Sequence, residues 1–442
     1  MADDAIPTAV SLSTSTMADS GDNDGDAIPA ASWASLPRDL VGQIISRLTC
    51  TVHYLRAVFA CRRWANMNFS WPGHRPLQPP VALFCEFFSR GPYYNPATGI
   101  SYYFSHSLQA VNDSYCFGAS HGWLLLLGTD SFIHTFNPVT SDLVTLPQLF
   151  TAPDSMLQFP AELCGNYLVF PDTSGNQVVP DAAAVTVHCR DLIRLSVLSS
   201  DPADDKNFTM LIVLNHIADI YLYFRMGVDA AWVPITIPLA HFHCSDLAPT
   251  RNKKIYTVDG KKMAMLAFDL SDPARNITVS SYTISGVPRP PSPDATFLLE
   301  SANGSLLLVN KIREVRAEPY DAVLVVFRLD LSAPPQARAL PVADIGAGNA
   351  LFICEGGSGC FDISAFPRTF SANHIYFFRP FLGYEAGQAF EAETLGIFSL
   401  EKGELAADSG RLLRGWPYLK LGKVRWLFFN FRFIRWYNIE MA

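Results

Sequence analysis

The chain has little of what several protein classes require. Its 442 residues hold nine cysteines, at positions 50, 61, 85, 116, 164, 189, 244, 354 and 360, with no C-x-x-C pair among them. An odd, scattered set fits reduced thiols better than a disulfide framework or a zinc module. Uninterrupted apolar stretches such as 123–127 fall far short of the roughly 18–20 residues that cross a bilayer, so no membrane helix is expected. No basic residue precedes Arg38, and Asp3 and Asp4 stand where a secretory signal carries positive charge; the chain is expected in the cytosol or the nucleus. Lys and Arg number 33 against 41 Asp and Glu, a formal charge of −8. That balance gives no general attraction for nucleic acid, which needs clustered cations.

What is present is apolar but finely divided. The apolar fraction is 49% and the mean hydropathy +0.15, yet 31 prolines and 27 glycines cut the chain into short runs. Many short strands are the expected product.

Residues 1–32 contain no aromatic and only negative charge. They bury too little apolar surface to offset the entropy of ordering and read as a disordered acidic tail. From residue 33 the texture changes: Leu40, Val41, Ile44, Ile45 and Leu48 recur at helical spacing. Pro37 falls in the first turn, where a missing N–H costs nothing, and Asp39 faces the positive end of the helix dipole. A second apolar set, Val52, Leu55, Val58 and Phe59, runs into Cys61-Arg62-Arg63-Trp64. Three short helices over residues 33–70 are expected. Residues 71–80, with Pro72, Pro76, Pro79 and Pro80, break any helix and form a linker.

From Val81 the pattern is β. Four paired runs share a polar or glycine start, an apolar strand, a turn and a second strand: 120–126 with 132–137, 252–258 with 263–270, 303–309 with 323–329, and 373–378 with 395–400. A strand-containing unit recurring every 40–50 residues or so is the signature of a β-propeller. A single blade cannot cover its own faces, so blades pack around an axis; residues 81–410 have the length for six to eight. Residues 411–442 are set apart. Arg411, Arg414, Lys420, Lys423, Arg425, Arg432 and Arg435 alternate there with Trp416, Trp426, Phe428, Phe429, Phe431 and Phe433.

Chemical motifs are weak. Gly118-Ala119-Ser120-His121-Gly122 satisfies G-x-S-x-G, but a strand, not a helix, follows the serine, so a turn is expected rather than a nucleophile elbow. The 346–348 and 356–359 glycine clusters lack the third glycine of a dinucleotide site and the lysine of a P-loop. His241, His243 and Cys244 have no second ligand cluster. No catalytic residue, metal or cofactor is expected.

The string Leu36-Pro37-Arg38-Asp39-Leu40 through Ile44, Ile45 and Leu48, followed by Val58 and Cys61-Arg62-Arg63-Trp64, resembles an F-box along its whole length. That resemblance implies a three-helix module docking on the Skp adaptor of a cullin-based ubiquitin ligase. Its adaptor contacts would come from Leu36, Pro37, Leu40, Ile44, Leu48 and Val58, with Trp64 fixing the third helix. Residues 80–405 are similar to the plant F-box family whose C-terminal module is called domain of unknown function 295. The likeness is carried by 118–124, Phe136-Asn137-Pro138, Lys254-Ile255-Tyr256, Phe327-Arg328-Leu329-Asp330 and Asn373-His374-Ile375-Tyr376. It implies a propeller-like, non-catalytic target receptor whose partners are the Skp adaptor, through it a cullin, and a target protein. The alternative is an F-box/propeller scaffold or relic that assembles no ligase.

Overall fold

The computed structural model describes residues 33–47, 64, 80–84, 92–95, 100–103, 114–128, 132–138, 142–149, 162–164, 167–170, 185–188, 193–214, 219–272, 276–288, 295–313, 322–354, 356–364, 366–385, 388–406 and 424–427. A 3-10 turn, Trp33–Ser35, leads into helix α1 (Arg38–Ser46), Trp64 is helical, and the other regular elements among the described residues are β-strands.

The strands run in meanders. The first sheet holds β1 (Val81–Phe84), β2 (Pro92–Asn95) and β3 (Ile100–Tyr103); the second holds β4 (Tyr115–Ser120), β5 (Trp123–Leu127), β6 (Phe132–Phe136) and β7 (Leu143–Gln148). A three-stranded sheet follows in sequence, with β8 (Glu162–Cys164), β9 (Tyr167–Phe170) and β10 (Val185–His188). The third four-stranded sheet is β11 (Ile193–Leu198), β12 (Thr209–Leu214), β13 (Ile220–Arg225) and β14 (Val233–Ile235). The fourth is β15 (Asp246–Thr250), β16 (Lys254–Asp259), β17 (Ala264–Asp269) and β18 (Thr278–Ser285). The fifth is β19 (Ala295–Glu300), β20 (Leu306–Arg313), β21 (Ala322–Ala333) and β22 (Gln336–Pro341). The last has β23 (Asn349–Ile353), β24 (Gly359–Asp362), β25 (His374–Glu385), β26 (Gln388–Ser399) and β27 (Glu404–Leu405), in the order β24-β23-β25-β26-β27.

One more strand, β28 (Val424–Leu427), pairs antiparallel with β1, Val81 opposite Leu427 and Phe84 opposite Val424. The basic-aromatic segment therefore reaches back to the first sheet. The innermost strands lie beside one another in the succession β28, β4, β11, β15, β19, β24. Among the described residues, blade-like sheets following one another in this way are the architecture of a propeller.

Why the strands are apolar on both sides follows from this arrangement. In β12, Met210, Ile212 and Leu214 enter the core shared with the second sheet, while Leu211 and Val213 enter the core shared with the fourth. In β20, Leu306 and Leu308 face the fourth sheet and Leu307 and Val309 the sixth. A strand has period two, so a blade sandwiched between neighbours is apolar at every position.

Each paired run read from the sequence is an antiparallel pair: β5–β6, β16–β17, β20–β21 and β25–β26. Their polar starts are turns where the backbone enters the left-handed region, at His121 and Gly122, Lys253, Gly304 and Asn373; the first three turns join the first and second strands of their blades, whereas Asn373 ends the longer 363–373 connection from β24 to β25. Gly and Asn tolerate that region best, which is why they recur there. The fourth and fifth blades also join at their outer edges, where β18 and β22 run parallel with Ile284 opposite Ala337. A continuous eight-stranded sheet results.

Candidate docking site

Helix α1 begins directly after Pro37, whose extended backbone (φ −57°, ψ 145°) occupies the N-cap, one position ahead of the first turn; Asp39 lies in that turn. The helix divides its apolar residues between two faces. Val41 and Ile45 are buried, while Leu40 is 46% exposed, Pro37 is exposed, and Leu36 and Ile44 are half-buried. Leu40 and Ile44 stand four residues apart on α1, and Leu36 precedes its N-cap. Sequence periodicity had placed Leu40, Val41, Ile44 and Ile45 together on one face; the helix in fact separates them.

Trp64 is buried, and its indole N–H donates to the Trp33 carbonyl at 3.0 Å, with the two rings edge to face at 6.5 Å. Trp64 is thus joined to the residues that precede α1. Trp33 itself is 71% exposed. Leu48 and Val58, and with them the expected second and third helices, lie outside the described residues.

In the propeller, the polar groups near the inner strands serve as ties between blades. Asp246, fully buried on β15, accepts from the Leu298 N–H of the fifth blade at 2.9 Å and from Gly356 N–H and Ser358 Oγ of the sixth at 3.3 and 3.4 Å. Asp219 accepts from Cys244 N–H at 2.6 Å and from Arg194 at 3.3 Å, and Asp259 accepts from His243 N–H at 3.0 Å. A buried carboxylate is tolerated where several N–H donors replace its water. Sequence reading missed these aspartates because nothing local marks them.

The motif residues resolve as structural. The Ser120 hydroxyl accepts from Leu198 N–H at 3.1 Å, and His121 Nε2 lies 3.2 Å from the Leu198 carbonyl. Both are thus engaged by a neighbouring blade, and burial pushes the His121 imidazole down toward its neutral form. Trp123 Nε1 donates to Asp201 at 2.8 Å across the same junction. Cys244 is buried with its thiol 2.9 Å from Thr257 Oγ1, whereas His241 and His243 are exposed. Among the described residues no cluster of three or more His, Cys, Asp or Glu could hold a metal ion, and no helix is long and apolar enough to cross a membrane.

No curated protein matches the chain. Among solved structures it is similar to a streptogramin B lyase (9% identity, 69% of this chain and 70% of that one, TM-score 0.31). It is also similar to YCF48 bound to a D1 peptide (10%, 80% and 94%, TM-score 0.32) and to the N-terminal domain of Nup159 (11%, 73% and 72%, TM-score 0.29). At such scores these likenesses bear neither on function nor on fold. The model of the KIB1-4 β-propeller matches residues 93–399, well over half of the sequence, and the chain belongs to that β-propeller family.

Proposed function

We propose that this protein is the target-binding subunit of a Skp-cullin-F-box ubiquitin ligase. The propeller holds a target protein, and the N-terminal helical segment docks on the Skp adaptor and through it on a cullin. The subunit performs no chemistry of its own; it brings the target to a ubiquitin-loaded enzyme.

The observation that carries the reading is the divided face of α1. Val41 and Ile45 are buried, yet Leu40 is 46% exposed, Pro37 is exposed, and Leu36 and Ile44 are only half-buried. Exposed apolar surface of that kind marks a partner site. It coincides with the stretch that resembles an F-box, and a propeller of a family suited to protein interaction follows it. The test replaces Leu36 and Pro37 together by Ala. Loss of adaptor co-purification, with the propeller's unfolding transition unchanged, is expected; full retention of adaptor binding would refute the assignment.

A further inference from the structure

At one end of the propeller the third and fourth blades meet through the β14–β15 connection, 236–245, and the β16–β17 turn, 260–263. Two carboxylates lie inside this junction. The side chain of Asp219, 3% exposed, accepts from Cys244 N–H at 2.6 Å and from Arg194 at 3.3 Å. Asp259, 2% exposed, accepts from the N–H groups of His243, Lys261 and Lys262 at 3.0, 3.1 and 3.0 Å. Backbone donors thus hold both acids inward.

What is left at the surface donates. His241, His243, Lys261 and Lys262 are exposed, and neither connection has an exposed acid. Arg194 Nη1 donates to His243 Nδ1 at 2.9 Å, so the imidazole carries its own N–H on Nε2. The Lys262 ammonium donates to the Ala240 and His241 carbonyls, both at 2.9 Å, which position it without neutralising its charge. Lys261 has no ion pair among the described residues. Exposed cations over inward-turned acids are complementary to an anionic partner.

Topology leaves this end of the propeller clear. β1 stands second in its sheet, beside the inner strand β28, and Val81 pairs with Leu427 at the end of β28. The chain therefore enters the propeller at the end that holds the turns between first and second strands, such as 251–253. Lys261 lies beyond the other end of β16.

We propose that this junction of the third and fourth blades receives an acidic segment of the target protein. Its Asp and Glu carboxylates pair with Lys261 and Lys262 and accept from His243 Nε2–H. The inference deepens the target-receptor reading and rests on it only for the origin of the segment. A protein segment fits better than nucleic acid: neither connection exposes an aromatic ring to stack a base, and a chain of formal charge −8 repels a long polyanion.

The test uses the full chain and an end-blocked peptide, Gly-Asp-Glu-Asp-Glu-Gly, carrying an uncharged dye and read by anisotropy. A control peptide has Asn and Gln for Asp and Glu, and a short oligothymidylate with the same dye stands for nucleic acid. Lys261→Glu is compared with Lys253→Glu, the same charge change at the opposite end of β16; each is checked for its unfolding transition and for adaptor co-purification. The expected result is binding of the acidic peptide by the parent, weakened about tenfold or more by Lys261→Glu or by the control sequence and changed less than about twofold by Lys253→Glu. Equal binding by parent and Lys261→Glu, equal weakening by the two reversals, tighter binding of the oligothymidylate, or no peptide binding by a parent that co-purifies the adaptor overturns the proposal. Lys261-dependent peptide binding by a parent that fails to hold the adaptor upholds the site and refutes the ligase reading instead.

Discussion

Asp246 makes the sharpest stability prediction. Its carboxylate is fully buried and joins three blades through Leu298 N–H, Gly356 N–H and Ser358 Oγ. Asp246→Ala removes the acceptor and strands two backbone donors. A hydrogen bond to a charged group contributes about 1.5–3 kcal/mol, and a stranded buried donor costs about 1–3 kcal/mol. With one short and two longer contacts, the loss is expected at about 3–5 kcal/mol, in line with breaking one side of a buried charge network. Asp246→Asn keeps the shape but turns an amide N–H2 toward existing donors, and about 2–3 kcal/mol is expected. Ser358→Ala removes only the hydroxyl, at about 1 kcal/mol, and in the double variant with Asp246→Ala its effect shrinks because the partner is already gone. Urea unfolding followed by the fluorescence of the buried Trp123 and Trp232 measures all four. A cost below about 1 kcal/mol for Asp246→Ala would refute the claim that this carboxylate ties the blades.

Four further outcomes follow from the same structure. Burial pushes the Cys244 thiol up to about 12, so it stays protonated and unreactive toward iodoacetamide at pH 8 until the protein is unfolded. Because the folded state holds that proton more tightly than the unfolded chain does, stability is lost as pH rises from the ordinary thiol range toward 12, which a pH series of unfolding midpoints detects. A side chain at Gly396 would place its Cβ 2.6–2.9 Å from the Phe377 ring, so Gly396→Ala is expected to cost about 1–3 kcal/mol in the same urea assay. Truncation after Ala406 removes β28 and bares the edge of β1; a lower unfolding midpoint and concentration-dependent association are expected by light scattering, since open strand edges recruit other chains.

The sequence made the repeated blade hairpins legible because their turns are built alike. A left-handed residue (Gly122, Lys253, Gly304 or Asn373) precedes an apolar strand, and all four paired runs are true antiparallel pairs. The third blade escaped notice: a longer Ser199–Phe208 connection, pinned by Asp201 and Asp205, stands where the second, fourth and fifth have a tight turn. Closure by Val424–Leu427 was left open by the sequence, between a closing strand and an atypical end, because that strand pairs with a segment near the opposite end of the chain and its composition departs from the other strands. The same reason hid Asp246, whose partners at Gly356 and Ser358 lie far away in sequence. On α1 the motif named the right helix, but helical spacing alone did not separate the inward Val41 and Ile45 from the outward Leu40.

The central claim is that the N-terminal segment couples the propeller to a ligase. The most direct measurement is co-purification of the full chain, and of a chain lacking residues 1–75, with the Skp adaptor and cullin. Capture by the full chain alone is the expected result. Capture of neither by the full chain, or equal capture by the shortened one, contradicts the account.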